Sequence, residues 1–474
     1  MNPKANNKAA PTRLVGSLFV AFLLVIFGGQ VQKMKGQNEQ SGRSQADAAT
    51  SHAAIEEGRK LTLTEAVQLA LKQNLDIQIA NLETASKQQE RLIARSALLP
   101  QASFEAEDGI NRHNLRALLG IQIPIPTVPH TIGPYQAVYV GPTFSAPIFD
   151  LTLIREFQAS GHRVLASRAD EETVREETVL LTVSEYMAHL RALANITAAE
   201  SRVGLATRLA HQADDLLMDG VASKIDVSRA QVRLREEEQQ LIDAQRNADT
   251  TVYALKRILN VPDIQQMEFA DARNFSRPAS LDLANPLATA LAQRPELRSL
   301  AETIKATQLT HQGVIARSVP KFEFTGFWNE QGETFNTATP GYLYQASMTV
   351  PLFTGGRLRA ERESTALVER RTQKELEQER NLVTEQVRDG QVELDAAAHQ
   401  VQLSHEEVEL ANEEILLSQG RFASGVTDNI EVTTAQDSLA RANDAEIGAL
   451  FRYNIARAQL AYAIGSVEQI YSHP

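Results

Sequence analysis

Gly220–Gln231 reads GVASKIDVSRAQ, and 205 positions later Gly425–Gln436 reads GVTDNIEVTTAQ, with six identities and an acid, Asp226 or Glu431, at the matching place. Each stretch offers a glycine that permits a tight reversal, then a capping residue (Ser223 or Asp428), then the start of a new helix. A helix–turn–helix reversal is therefore encoded twice. Other landmarks recur in the same order: Ile93–Ser96 (IARS) returns at 315–318, Pro100 at Pro320, and Pro147-Ile148-Phe149 at Pro351-Leu352-Phe353. Four landmarks in one order imply two tandem repeats, each half a fold and far too long for a solenoid unit.

Proline supplies the next constraint. None occurs from 148 to 261 or from 352 to 473, so each interval can be filled by helix interrupted only near Gly220 and Gly425. The expected result, per repeat, is a helix of about 68 residues, roughly 100 Å long at 1.5 Å per residue. It turns at the glycine and returns over 224–260 or 428–464. Each return helix plus the next incoming helix (286–319) matches one long helix in length, which predicts that these two stack end to end beside it.

Ahead of each long helix the apolar period changes from helical to two. Thr62 or Thr64 opens a first helix that restarts after Asn74 and stops at Pro100. Beyond it Ala102, Phe104 and Ala106 alternate with Ser103, Glu105 and Glu107. In the second repeat Tyr342, Tyr344, Ala346, Met348 and Val350 alternate with Leu343, Gln345, Ser347 and Thr349. The expected organisation is repeat 1 over 61–265 with a β-hairpin at 101–147 and a tip near 220, and an equatorial connection at 266–284. Repeat 2 follows over 285–466 with a hairpin at 321–352 and a tip near 425, then a tail at 467–474. The Pro-rich loop within the first hairpin is too irregular to pair throughout.

The second long helix carries two apolar seams at intervals of seven: Val387, Leu394, Val401, Val408 and Ile415, and Ala396, Leu403, Leu410 and Leu417. Two residues along a helix rotate by about 200°, so the seams point in nearly opposite directions. Such a helix is gripped on two sides, as in the wall of a closed tube; a spectrin-like bundle is the other packing that fits. The first long helix carries a fainter version in Ile196, Val203, Ala210 and Leu217 beside Ala192, Ala199, Ala206 and Ala213.

Composition excludes several classes. The net charge is −12, with no basic block past the first residues, so no nucleic-acid partner is expected. The chain has no cysteine, hence no disulfide, no thiolate metal site and no acylated N-terminal cysteine. Lys4, Lys8 and Arg13 before the apolar run Leu14–Phe27 predict a signal peptide over 1–29, followed by a flexible segment at 30–60. No grouping of nucleophile and base, and no metal-ligand or cofactor motif, is present; His399 and His405 stand six apart, off a common helical face. No enzyme is expected. Four strands cannot close a pore, whereas three chains supply twelve.

The run VPLFTGGRLRAERESTA at 350–366, taken with the paired tip motifs, resembles TolC-type outer-membrane efflux proteins over 61–466. The resemblance implies a mainly α fold with a small β part. Long antiparallel coiled-coil helices would form a trimeric α-helical barrel, continuous with a shared 12-stranded β-barrel. It also implies a passive duct in the outer membrane, with its helical part in the periplasm, in contact with outer-membrane lipid, a periplasmic adaptor protein and an inner-membrane pump. The tips Gly220, Val221, Ser223, Gly425, Val426 and Asp428 would dock the adaptor. Asp226 and Glu431 would form charge rings at the periplasmic gate, joined by Phe422, Thr427 and Thr434. There relatives carry an aromatic, an arginine and an aspartate, so a gate held by packing and Glu431 is expected here. Pro351, Gly355, Gly356 and Arg357 form the strand-to-helix turn. The competing reading is an exported coiled-coil scaffold without channel activity; the tyrosine-rich strand at 342–350 favours the duct.

Overall fold

The computed structural model describes residues 60–114, 131–220, 222–262, 267–270, 285–424, 426–427 and 429–472. The expected signal peptide, nearly all of the flexible segment, the middle of the Pro-rich loop, most of the equatorial connection and the end of the tail lie outside these residues, as do Val221, Gly425 and Asp428.

Repeat 1 begins with a short strand β1 (Lys60–Leu61), then α1 (Leu63–Gln73) and α2 (Leu75–Ser96). Thr62 caps α1: its hydroxyl accepts from Glu65 N–H at 3.2 Å, and its N–H donates to the Glu65 carboxylate at 3.0 Å. Strands β2 (Gln101–Asn114) and β3 (Thr131–Phe149) follow, then α3 (Leu151–Met218) and α4 (Lys224–Leu259). After β4 (Glu268–Phe269), repeat 2 contributes α5 (Pro286–Gln293), α6 (Pro295–Ala316), β5 (Lys321–Gly332), β6 (Thr339–Thr349), α7 (Arg357–Ala423) and α8 (Asn429–Ala463). A last helix, α9, spans Val467–Tyr471. The long helices measure 68 and 67 residues.

Two expectations need correction. The incoming helix of repeat 2 is not continuous: Arg294 adopts φ −54°, ψ 121° ahead of Pro295, and breaks it into α5 and α6 as Asn74 separates α1 from α2. Proline is tolerated at a first helical position and pushes its predecessor out of the helical region. The stacked partners also differ. Asn74 donates from Nδ2 to the Ile258 carbonyl at 2.9 Å, joining the start of α2 to the end of α4. Arg294 donates from Nη1 to the Tyr462 carbonyl at 3.1 Å, joining the start of α6 to the end of α8. Each return helix thus continues into the incoming helix of its own repeat. Because the repeats match in length, length alone could not distinguish the two pairings.

The helix α3 packs along both lines, on α4 and α2 and on α8 and α6, and also meets α1 and α9. α7 packs on α8 over its tip half and on α6 and α5 nearer the strands. Around the equator α1, α3, α4, α8 and α9 converge on a core of Val67, Val183, Tyr186, Leu255, Leu259 and Val467, sealed by the β1–β4 pair. Arg175 pairs with Glu468, and the Glu176 carboxylate accepts from Val467 N–H at 2.9 Å, so α9 is clasped to α3.

The four long strands form one antiparallel sheet in the order β2-β3-β5-β6. Its registers place Ala102, Phe104, Phe144, Phe324, Trp328, Tyr342, Tyr344 and Met348 on one face, and Ser103, Glu105, Thr143, Glu323, Gln345 and Ser347 on the other. On the apolar face the Phe144 ring lies 5.7 Å from Tyr344 and covers Gly326, where a Cβ would meet that ring at 2.4 Å. Moving away from the helices, this face ends in charge at Asp108 and Glu330. Among the described residues both outer edges of the sheet, β2 and β6, are unpaired.

Candidate functional site

At both helical tips a backbone N–H of the turn reaches back to a carbonyl of the long helix. In the first, Gly220 takes φ +74°, and the Ala222 N–H reaches back to the Leu216 carbonyl at 3.0 Å, a closure that suits glycine in the left-handed region. In the second, the Val426 N–H reaches the Arg421 carbonyl at 3.0 Å. Met218, Ile225, Val426 and Ile430 are all more than half exposed around these turns.

The two tip acids diverge. Asp226 folds back on its own cap: its carboxylate accepts from Ser223 N–H at 3.0 Å and from the Ser223 hydroxyl at 2.6 Å. These hydrogen bonds hold the Asp226 carboxyl below the usual range. Glu431, one methylene longer, accepts from the Thr427 hydroxyl at 2.5 Å and meets the Arg421 guanidinium at 3.4 Å across the turn. Thr427 therefore stands in an internal latch that links the end of α7 to the start of α8. Arg421 was missed by sequence reasoning because a lone arginine ten positions before an acid has no periodic signature.

Phe422 is buried, 6% exposed, among Leu209, Ile415, Val432 and Ala435. It locks the turn against α3 and does not project into open space. Thr434 spends its hydroxyl on the Ile430 carbonyl at 2.9 Å and lines a groove between α4 and α8 with Ile225, Arg229, Val232 and Ile430.

Further from the turns lies a charge cluster that the sequence did not reveal. Glu237 on α4 is buried and receives Arg202 of α3 at 3.2 Å and Arg233 at 2.8 Å. Arg202 also reaches Asp444 at 3.1 Å, and Arg233 reaches Asp437 at 2.5 Å, both on α8. One carboxylate thus ties α3, α4 and, through its two arginines, α8. A buried charge held this way is costly to uncover, since breaking such a pair costs about 3–5 kcal/mol.

At the strand end, Gly355 and Gly356 take φ +58° and +86° after Pro351, and Arg357 opens α7, donating to Glu361 at 2.9 Å. Glu361 also accepts from Arg317, the residue that caps α6, at 2.8 Å. Among the described residues no group of acids or histidines could hold a metal ion, and no helix is long and apolar enough to cross a membrane.

Comparison with known proteins agrees with this architecture. The family model described as "Outer membrane efflux protein" matches residues 66–261 and 287–466. The alkaline protease secretion protein AprF of Pseudomonas aeruginosa is 22% identical over 437 residues, covering 87% of this chain and 86% of AprF. Among solved structures, the outer-membrane channel OprN superposes with a TM-score of 0.75 at 17% identity, over 85% of this chain and 90% of that one. The Campylobacter jejuni CmeC outer membrane channel superposes with a TM-score of 0.72 at 18% identity, over 85% and 86%.

Proposed function

This chain belongs to the outer membrane efflux protein family and is an outer-membrane channel component of an efflux or secretion system, and from that premise we propose that three copies close into a single passive conduit, opened at its tips by a periplasmic adaptor and an inner-membrane pump. The scaffold alternative is set aside by the family match.

The observation that carries the trimer is what one chain leaves uncovered. On α7 the first seam is covered, with Val387 fully buried and Ile415 5% exposed, while Leu403, Leu410 and Leu417 of the second remain 64%, 68% and 61% exposed. The line formed by α2 and α4 presents Ile79, Leu82 and Ile242, each more than half exposed. A second copy that lays its α2–α4 line on the second seam of α7 covers both, and the same rotation joins free edge β6 to free edge β2. Repeating the operation three times closes a twelve-stranded barrel with the aromatic face toward lipid and the glutamate-bearing face toward the lumen.

At the other end, the exposed apolar tips and the α4–α8 groove support docking of adaptor hairpins. The Thr427–Glu431–Arg421 latch and the Glu237 cluster support a gate whose resting position is held by contacts inside each protomer. Opening then requires those contacts to be exchanged, which only a partner bound at the tips can compensate.

The test is the assembly itself. Detergent-solubilised protein should run at three protomer masses and pass ions in a planar bilayer; a stable monomer without current would refute the reading. Met348→Arg, on the apolar face, should block membrane assembly at a cost of about 2–4 kcal/mol per protomer. Thr349→Arg, on the opposite face, should assemble.

A further inference from the structure

Leu352 and Phe353 are 94% and 91% exposed, more than any other large hydrophobic residue among those described. They follow β6 after Val350 and Pro351, and the outward side of that strand runs through Tyr342, Tyr344, Ala346 and Met348, so they extend the apolar band beyond the last strand pairing. The matching segment of repeat 1 behaves differently. There β3 continues through Ile148 and Phe149, Phe149 pairs with Phe322, and Asp150 caps α3 at once. In repeat 2 the strand stops at Thr349, and two additional residues separate Phe353 from the helix start at Arg357.

Gly355 and Gly356 make this possible, since both sit in the left-handed region and a Cβ on either would meet nothing within 4 Å. They are there to bend the chain and not to relieve crowding. The bend leaves a leucine and a phenylalanine projecting, with the exposed Arg357 and Arg359 on the first turn of the helix behind them. An apolar pair backed by arginines matches the layering of a bilayer surface, in which acyl chains give way to phosphates. The chain holds no cysteine, so a thioether-linked lipid cannot provide this attachment.

We propose that the Leu352–Phe353 turn is a membrane anchor, inserted at the boundary of headgroups and acyl chains in the periplasmic leaflet of the outer membrane, with Arg357 and Arg359 at phosphate depth. The proposal rests on the conduit reading above, which sets the orientation of the barrel. Three such turns form a collar at its base and fix how deep the duct sits.

A cysteine-free chain allows one introduced thiol to report alone. Full-length Phe353→Cys, labelled with bimane and reconstituted in phosphatidylethanolamine–phosphatidylglycerol vesicles brominated near the headgroup, should lose fluorescence as strongly as Met348→Cys labelled on the barrel face. Glu363→Cys, further along α7, should lose none. Leu352→Cys provides a second reporter if the first variant does not assemble. Quenching at 348 with none at 353 and 352 overturns the anchor while leaving the barrel intact. A label at 353 shielded from brominated lipid and from aqueous iodide alike also overturns it, because a neighbouring copy then covers the turn. Absence of quenching at 348 removes the conduit reading and the anchor with it.

Discussion

α3 and α7 are nearly the same length and hold matching places in the two repeats, yet they are packed in opposite ways. α3 is enclosed by its own chain, with Ala192, Ala199, Ala206 and Ala213 each at most 2% exposed. α7 is covered along one seam and bare along the other. The residue sizes follow the neighbours: a helix with partners fixed within the chain carries alanines that allow close approach, whereas a helix awaiting a partner keeps leucines that gain most when buried. The two repeats are therefore not equal halves. One long helix is the internal axis of the protomer, and the other leaves an apolar seam exposed.

The strongest way to break this comparison is to charge the bare seam. Leu403→Glu, Leu410→Glu and Leu417→Glu together remove about 1.5–3 kcal/mol of burial per leucine at every interface. Sedimentation should report a monomer, while circular dichroism retains the helix content, because the seam has no partner within the chain. Loss of helix content instead would mean that α7 depends on this seam for its own folding.

A second test uses acid. His189 on α3 is buried against Phe269, with ring centroids 4.3 Å apart, and its Nδ1 lies 2.9 Å from the Thr251 hydroxyl. Burial lowers its pKa to about 4. Between that value and an unfolded pKa near 6.5 the unfolded chain binds a proton that the folded chain refuses, so stability falls as pH drops from about 6.5 to 4, by roughly 3 kcal/mol per protomer. At the tip offset of 205 the matching residue on α7 is Leu394, which has no such dependence. His189→Leu should flatten the pH profile of thermal unfolding over that window; an unchanged slope would assign it to carboxylates elsewhere.

Smaller in effect is a test of crowding. Ala199→Leu should destabilise the protomer by about 1–3 kcal/mol through overpacking, measured by denaturant unfolding. Ala396→Leu, on the bare seam of α7, should leave protomer unfolding unchanged and alter only assembly. Equal losses at both sites would erase the distinction between the two helices.

Much of this was legible because long helices leave coarse marks. Proline-free intervals bracketed α3–α4 closely, 148–261 against Leu151–Leu259, and α7–α8 more loosely, 352–473 against Arg357–Ala463, and the heptads of α7 announced two seams before either had a partner. What stayed hidden depends on neighbours far along the chain. The break at Arg294 needed Pro295 to be read as a helix start, and the end-to-end pairings hang on single side chains, Asn74 and Arg294, reaching carbonyls 184 and 168 positions away. Glu237 looks like one more solvated acid in the run REEEQQ at 235–240, and only the fold brings Arg202 to it. The family resemblance implies a gate position for Phe422, and its burial among Leu209, Ile415, Val432 and Ala435 depends on packing that the sequence does not display.

The tips carry the smallest and most specific difference. Asp226 is bound to its own cap, so Asp226→Ala should cost about 1 kcal/mol, felt mainly as fraying of the first turn of α4. Hydrogen exchange should accelerate there, with little change in conductance. Glu431 spans the turn between Thr427 and Arg421, and its loss frees one arginine per protomer near the duct's end while removing one carboxylate. Glu431→Ala should therefore reduce cation selectivity in a planar bilayer, and Arg421→Ala should raise it by leaving the carboxylate unpaired. Opposite signs from two residues 3.4 Å apart would tie selectivity to the charge exposed at this turn. Parallel shifts in both variants would indicate that the latch works only by holding the turn in shape.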